Sequence, residues 1–361
     1  MKKNTILLAL MLFVCVSASF SQETKYAMYG VGFYNLENLF DTCHDEGHND
    51  YQFLPDGQYK WTGLKYTHKL RNMARVLSEM GTDKLPGIGC AFIGVSEVEN
   101  AKCLEDLCNQ EPLKARNFQF VHIEGPDYRG VDCALLYNPR FFKVDNVKLV
   151  PYVYHLPQDS ARNTRGFLTV SGTLAGEHVA VIVNHLPSRF AGSYYREEGG
   201  KQIRAVKDSL LNEDSNVKLF IMGDMNDDPQ DPSMAEALGA KRKIKDVEKG
   251  GLWNPWWDTL ANGTGTLIYD GKWNLFDQII LSESLIDINN MGHWKKMEFK
   301  PSEIDCRTLK YYRHQIFHRD YLFQKEGKYK GSSLRTHAGG VWLDGYSDHF
   351  PTVVYVVKIQ K

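Results

Sequence analysis

The sequence predicts a layered α/β domain, and two observations carry that prediction. Short β-branched or aromatic runs, bounded by turn residues, recur along the chain. Between some of them, apolar residues fall at the spacing of one helix face. Strands alternating with helices, without a glycine-rich phosphate loop, fit sheets covered by helices. No repeat of about 20–50 residues and no low-complexity linker divides the chain. One domain with excursions is expected.

The first strand is expected at YGVGFYN (29–35), where Val31 and Phe33 alternate with glycines. A helix follows, with Leu70, Met73, Leu77 and Met80 on one face. CAFIGVS (90–96) and VDCALLY (131–137) are nearly continuous apolar runs, the pattern of buried strands. GFLTVSG (166–172) and HVAVIVN (178–184) come next, separated by a turn containing Gly176. Ile203, Val206, Leu210 and Leu211 mark a second helix face. VKLFIM (217–222), FDQIIL (276–281) and PTVVYVV (351–357) complete the strands. The weaker patterns at 42–60 and 290–340 read as insertions in a domain spanning 22–361.

Residues 1–21 stand apart. Lys2 and Lys3, an apolar core and small residues before Gln22 form the three parts of a secretory signal, cut near Ser21. The rival, a lipid anchor on Cys15, is disfavoured because Phe13 and Val14 stand where small residues are wanted. The mature chain is expected to be exported, periplasmic or extracellular, with no transmembrane segment. At 43% hydrophobic and 24% charged residues it is globular in composition. Loss of Lys2 and Lys3 moves the formal charge from −1 to about −3, which argues against tight duplex binding but not against transient cleavage. Six cysteines remain (Cys43, Cys90, Cys103, Cys108, Cys133 and Cys306), without metal-type spacing. Cys103 and Cys108 are near enough to bridge, and their pairing stays open.

The polar residues gather at strand ends. Asn35, Glu97, Asn184 with His185, and Asp224 with Asn226 close four apolar runs. Tyr128, Asp132, Arg165, Asp277, and Asp348 with His349 lie before or at the start of others. If the second set runs antiparallel to the first, all of them meet at one rim. Acids, amides, imidazoles, a phenol and a guanidinium together suit a hard-metal phosphate site. Singly, each has an ordinary explanation, such as a helix cap for Asn35 or a loop histidine for His185.

Two other readings fail on residue identity. An EF-hand starting at Asp224 would need Gly and Glu where Pro229 and Ala235 stand. Asp227, Asp228 and Pro229 instead read as a turn. Ser347, before Asp348 and His349, suggests a serine hydrolase, but the chain lacks a G-x-S-x-G elbow.

In order, FYNLEN, GVSEVEN, DYRGVDCALLYN, NTRGF, VNHLPS, MGDMNDDP, WNLFDQIILS and GYSDHFP resemble the motifs of the endonuclease/exonuclease/phosphatase superfamily over nearly the whole mature chain. That superfamily includes deoxyribonuclease I, and the chain is similar to a secreted bacterial branch of it. The resemblance implies a four-layer α/β sandwich, with two packed, mostly antiparallel sheets flanked by helices. It also implies Mg²⁺-dependent hydrolysis of phosphate esters by water, with Mn²⁺ or Ca²⁺ as alternative ions. Carried over by motif, Glu97 is the principal metal ligand, with Asn35 and Asp348 near the metal. Asp224 activates the attacking water, and Asn226 holds the water or a phosphate oxygen. His185 and His349 contact phosphate or act as general acids, with Asp277 orienting His349. Tyr128 and Arg165 touch phosphate oxygens. Where deoxyribonuclease I has a Glu as partner for the histidine matching His185, this chain has Gly130, and Asp132 is the substitute considered.

Substrate preference is expected from the loops. Arg189, Tyr194 and Arg196 follow the His185 strand, and together with Asn184 the Arg189 guanidinium is a candidate for substrate binding. Four Trp in 251–274 suit either stacking on bases or core packing. The basic, aromatic segment 310–335 is a candidate phosphate-backbone contact or a solvated insertion. The expected activity is that of a secreted nuclease or phosphodiesterase acting on a phosphate-ester substrate such as nucleic acid, without a stable protein partner. A phosphomonoesterase or lipid-headgroup phosphodiesterase is the second choice, and a non-catalytic binding module on the same fold a distant third.

Overall fold

The computed structural model describes residues 25–154, 162–287 and 301–360, so the expected leader at 1–21 lies outside the described residues. The chain begins with β1 (Tyr26–Leu39), α1 (Gly63–Glu79), β2 (Cys90–Val98), α2 (Ala101–Cys108), α3 (Glu111–Lys114), β3 (Gln119–His122) and β4 (Asp132–Tyr137). It continues through β5 (Phe142–Tyr154), β6 (Arg162–Leu174), β7 (Glu177–His185), α4 (Ser193–Glu213), β8 (Lys218–Asp224), β9 (Ala240–Lys241) and β10 (Leu252–Trp253). After α5 (Trp256–Ala261) come the hairpin β11 (Leu267–Tyr269) and β12 (Lys272–Asn274), then β13 (Asp277–Ser282) and β14 (Lys310–Ile316). A second hairpin, β15 (His337–Ala338) and β16 (Val341–Trp342), precedes β17 (Thr352–Ile359).

Two large sheets result, in the orders β14-β17-β1-β2-β4-β3 and β5-β6-β7-β8-β13-β10-β9. Most neighbours are antiparallel; the parallel exceptions are β1 with β2, β7 with β8, and the short β9 with β10. The long parallel pairs need crossovers, and α1 and α4 lie in those two connections.

Strand alternation explains the layering. In β7, Val179, Val181 and Val183 join the core between the sheets, while Ala180 and Ile182 join a second cluster containing Ile203 of α4. In β8, Phe220 and Met222 face inward, and Leu219 and Ile221 face the α4 side. Phe92 of the first sheet meets Phe220 of the second edge-on, with centroids 5.7 Å apart. Gly94 permits this closeness, because a Cβ there would lie 2.5 Å from Met222 Sδ. On the far side of the first sheet, Leu70, Met73 and Leu77 of α1 are buried, and Gly81 at φ +78° follows the helix. Each fully buried large apolar side chain contributes about 1.5–3 kcal/mol. The arrangement is the expected four-layer α/β sandwich with two packed sheets and outer helices.

Nine of the described strands were not expected: six span only two or three residues (β9–β12, β15 and β16), and three are longer. Pro151 interrupts the pattern of β5, which among the described residues pairs only with β6 and has a register shift between Val150 and Tyr152. The short β3 occupies another edge. The third is β14, inside the segment read as an insertion at 290–340, which adds to the first sheet beside β17. That segment is therefore partly sheet, and residues 288–300 lie outside the described ones. No helix among the described residues is long and apolar enough to cross a membrane. The six described cysteines are all free, Cys103 and Cys108 included.

One histidine of β14 makes stability pH-dependent. His314 is held between Thr259 Oγ1, 2.9 Å from Nε2, and Tyr311 Oη, 2.5 Å from Nδ1. Burial pushes its pKa down to about 4. Between the ordinary histidine value and about pH 4, the unfolded chain takes up a proton that the folded chain refuses, so stability falls as pH falls. The ring is only half-buried, which reduces the effect to roughly 1–2 kcal/mol. His314→Phe should flatten this part of the curve, seen as a smaller change in urea midpoint between pH 6.5 and 4.5 (roughly the window set by the two pKa values).

Candidate active site

The inward phase that makes the core apolar turns polar at one end of the sandwich. One step beyond Val183 along the inner face is His185; beyond Met222 is Asp224; beyond Phe33 is Asn35. Asp277 opens β13 on the same phase as Ile279 and Leu281. The pairings His185↔Asp224 and Asp277↔Asp224 place three of these side by side. β17 runs antiparallel to β1, which puts Asp348 and His349 beside Asn35.

Glu97 needs a further device. Gly94 faces the other sheet, so simple alternation would turn Glu97 away. Glu97 instead has φ +59°, and the β2–β4 register slips between Ser96 and Val98. This bulge brings the carboxylate into the cleft. Glu37, Asn38 and Asn226 are also left-handed, at φ 48°, 57° and 50°. Non-glycine residues held in that region concentrate at functional sites.

The groups interlock closely. Asn35 Nδ2 donates to Asp224 Oδ2 at 3.0 Å and to Glu97 Oε1 at 3.4 Å. The Asn38 N–H donates to Glu97 Oε2 at 3.0 Å. His185 Nε2 lies 3.7 Å from both Glu97 Oε1 and Asp224 Oδ2. His349 Nδ1 is 2.7 Å from Asp277 Oδ2, and its Nε2 is 3.8 Å from Asp224 Oδ2 and from Asp348 Oδ1. The Asn226 N–H donates to Asp224 Oδ1 at 2.9 Å, and its side-chain amide is tied to the Leu186 carbonyl.

Burial and neighbouring charges divide the titratable groups. Burial pushes the Asp224 carboxyl up to about 7; the His349 charge opposes this, while Asp277 and Glu97 add to it. Burial by itself would lower His349, but the carboxylates of Asp277, Asp348 and Asp224 overcome it and hold the imidazole well above its ordinary value. His185 moves the other way, depressed by burial and by the charges of Arg165, Arg129 and His349. The cleft therefore holds one charged and one neutral imidazole around a carboxyl poised near neutrality. Asp348, which burial would raise, is lowered by His349, Arg335 and Lys69.

The oxygen donors suit a hard cation. Glu97 keeps 15% of its side chain exposed, and among the described residues no Lys or Arg forms an ion pair with it. Its carboxylate and that of Asp348 are oxygen ligands of the kind such an ion requires, while the Asn35 amide turns its nitrogen to Glu97 and its oxygen to the Glu37 N–H, so it would have to rotate to add another. Asp224, Asp277 and His349 also place ligand atoms within 4.8 Å of one another. That trio is closed by its own imidazolium–carboxylate pairing and matches a cation less well.

The remaining expected residues are placed unevenly. Arg165 is buried behind the cleft, donating to the His185 carbonyl at 3.1 Å and to Asp127 Oδ2 at 2.8 Å. Asn184 points to the opposite face from His185, its amide donating to the Met222 carbonyl. Tyr128 is 68% exposed on the surface. Arg189 contacts Asp227, Asp228, Asp231 and Asn274, so its guanidinium clamps the turn after β8. Asp132 does not partner His185: it is 2.9 Å from His122 Nε2 and accepts from the Gly125 N–H, while His185 Nδ1 is buried without a partner among the described residues. Asp227 and Asp228 belong to the turn, bound by Ser233 and the Leu275 N–H. Trp253 and Trp256 are core.

Several residues of the site were missed. Asp127 anchors Arg165. Arg335 contacts Asp348 and lies 3.5 Å from Glu37 Oε1. Lys69, fully buried on α1, donates to Thr336 Oγ1 and to the Tyr346 carbonyl, each at 2.6 Å. The available signal was a lysine inside the apolar stripe of Leu70, Met73 and Leu77.

Ser347 is structural in this arrangement. Its hydroxyl donates to the Asn35 carbonyl at 2.7 Å and accepts from the His349 N–H at 3.1 Å. Ser347→Ala should cost about 1 kcal/mol of stability and leave catalysis within about tenfold. A serine hydrolase would lose nearly all turnover, and steady-state kinetics on a phosphate ester separates the outcomes.

A family profile described as "Endonuclease/Exonuclease/phosphatase family" matches residues 30–358. A search of curated proteins finds no match. Among solved structures, an endonuclease/exonuclease/phosphatase family protein from Bacteroides thetaiotaomicron is 16% identical, with TM-score 0.52, covering 92% of this chain and 99% of that one. A mannosyl-6-phosphatase from the same organism is 15% identical, with TM-score 0.52 and 91% and 99% coverage. D. rerio TDP2 complexed with a single-strand DNA product is 14% identical, with TM-score 0.51 and 91% and 99% coverage. At such identities the likeness concerns the fold.

Proposed function

The chain belongs to the endonuclease/exonuclease/phosphatase family of phosphate-ester hydrolases, and from that premise we propose that it is an exported, Mg²⁺-dependent phosphodiesterase acting on nucleic-acid strands. The observation that carries this reading is the meeting of Asn35, Glu97, His185, Asp224 and the His349–Asp277 pair in one cleft. Export is inferred from the signal pattern of residues 1–21.

In this reading Asp224 takes the proton from the attacking water, a task matched to a carboxyl near neutrality. Asn226, fixed to Asp224 and Leu186, orients that water or a phosphate oxygen. His349, kept charged by Asp277, faces the charge that builds on phosphate and protonates the leaving oxygen. His185, neutral when the cleft is empty of anions, donates from Nε2 to phosphate. Arg165 acts indirectly by fixing the His185 backbone. A divalent cation held by Glu97, with Asn35 and Asp348 beside it, supplies positive charge that offsets the phosphate anion. Mg²⁺ suits this oxygen-rich set, with Mn²⁺ or Ca²⁺ as substitutes.

A diester rather than a monoester is supported by space on two sides of the site. A groove of about 650 Å³ runs from Asp348 and Arg335 between the β11–β12 hairpin and residues 324–333, past Tyr269, Lys328 and Tyr329. A smaller pocket of about 240 Å³ lies against Glu37, Asn38 and the same Asp348 and Arg335, walled by Phe53, Tyr59, Trp61 and His337. Substituents on both sides of a phosphate could each have a place. The smaller pocket alone would favour a second reading, a sugar phosphomonoesterase, and a mannosyl-6-phosphatase shares the fold.

The test is hydrolysis by the purified protein (from Gln22) of supercoiled plasmid, bis-p-nitrophenyl phosphate and mannose 6-phosphate, with Mg²⁺ and with excess chelator. Chelator-sensitive cleavage of the plasmid and the diester is expected. Release of phosphate from the monoester alone would establish the second reading. No hydrolysis by folded protein in Mg²⁺ would overturn both.

A further inference from the structure

Behind Glu97, on the stretch Val98–Glu99–Asn100 that leads into α2, lies a second group of metal-type side chains. Asp41, Glu99 and Cys103 place ligand atoms within 4.8 Å of one another. The Asp41 N–H donates to Glu99 Oε2 at 2.7 Å, and Cys103 Sγ is 3.7 Å from that oxygen. Asn100 caps the Cys103 N–H and so fixes the thiol's position. The spacing of sulfur and oxygen is that of two neighbours around one ion, given bonds of about 2.3 and 2.0–2.2 Å.

Two independent observations point to a ligand. Glu99 is only 3% exposed, and its other oxygen, Oε1, is buried without a hydrogen-bond partner among the described residues. Leaving such an atom unsatisfied is costly. In addition, among the described residues no Lys or Arg forms an ion pair with Asp41, Asp45 or Glu99, and the nearby Asp50 has only His44. A cation entering here would meet no competing Lys or Arg among the described residues.

We propose that Asp41, Glu99 and Cys103 form a second cation site, separate from the hydrolytic cleft, for a borderline-soft divalent ion of the Zn²⁺ class. A thiolate selects against Mg²⁺ and Ca²⁺, which take oxygen ligands. Three protein ligands leave a fourth position, and the half-buried Asp41 gives it access to water. Binding breaks the Cys103 S–H bond and forms a sulfur–metal bond, with the proton released to solvent and no change of oxidation state. The ion would tie the end of β1 to the start of α2, two residues from Glu97, and so brace the bulge that aims it.

The test uses Co²⁺ as an optical probe on the intact protein in saturating Mg²⁺. Expected is about one Co²⁺ per chain with a thiolate-to-cobalt absorption band, bleached by Zn²⁺. The band should vanish in Cys103→Ser and persist in Cys43→Ser, which controls for the exposed thiol beside Asp41. Asp41→Asn, half-buried and the milder change, should weaken Co²⁺ at least about tenfold. No band in folded wild-type protein, a band that survives Cys103→Ser, loss of the band in Cys43→Ser, or an unchanged affinity in Asp41→Asn would each overturn the site. These readouts do not involve turnover, so they stand or fall apart from the hydrolytic reading.

Discussion

Asp224→Asn should lower kcat on a phosphodiester by about 10²–10⁴-fold without loosening the fold. The reason lies in what burial does to this carboxyl. Its pKa is pushed up to about 7, so the folded protein holds a proton there that the unfolded chain would release. The sign follows: an acid with a raised folded pKa weakens the fold as pH rises from its ordinary value through about 7. Asparagine removes that burden while still able to accept from the Asn226 N–H. Asn35, which donates to Asp224 Oδ2, must turn its amide to suit. Activity should collapse while the urea midpoint at pH 8 (above the raised pKa) holds or rises, the pattern of a group retained for chemistry at the expense of stability. Near-normal turnover would remove Asp224 from the water-activating role.

The second large effect concerns the His349–Asp277 pair. His349→Ala should lower kcat by about 10²–10³-fold. Asp277→Asn is the more informative change, because Asp277 works through the imidazole it contacts at 2.7 Å. Without that carboxylate, His349 loses a leading cause of its raised pKa, and the alkaline limb of the kcat/KM profile should move to lower pH. The acid limb, assigned to Asp224, should stay or fall slightly as one source of repulsion disappears. Stability gives a second readout: a histidine with a raised folded pKa stabilises fully below its unfolded value and less as pH rises through the folded one. Asp277→Asn should therefore destabilise most in acid. An unmoved alkaline limb would exclude His349 as the group that must stay protonated.

Much of this was legible in the residues. The runs VAVIVNH and LFIMGD keep their apolar phase to the last step and then present His185 and Asp224 on it, so strand alternation located the rim. The same rule puts Asn184 on the opposite face, where its amide donates to the Met222 carbonyl, whereas strand ends alone assigned it to the rim beside His185. Glu97 was legible as the end of an apolar run and through the motif around it, but not from alternation, since its place depends on a left-handed φ that alternation does not encode. Arg335 could not be found, because the loop carrying it is ordered by Thr336 contacts to Glu37 and Lys69 that lie far apart in sequence. The partner offered for His185 failed for a similar reason: Asp132 faces His122 across neighbouring strands, a pairing that follows from the β3–β4 register. Pro151 hid β5, since a proline argues against a strand unless it lies at an edge.

The order of the first sheet bears on biogenesis. β17 lies between β14 and β1, zipped to β1 from Tyr26↔Ile359 to Phe33↔Thr352. Until residues 348–359 have been made, β1 has an open edge and the cleft lacks both Asp348 and His349. A nascent chain has all strands of the second sheet, which spans residues 142–282, before it has the residues proposed to complete the hydrolytic centre. On the roles proposed for Asp348 and His349, the chain would be silent throughout its own synthesis, and competence would arrive in one late step, when the last described strand docks beside the first.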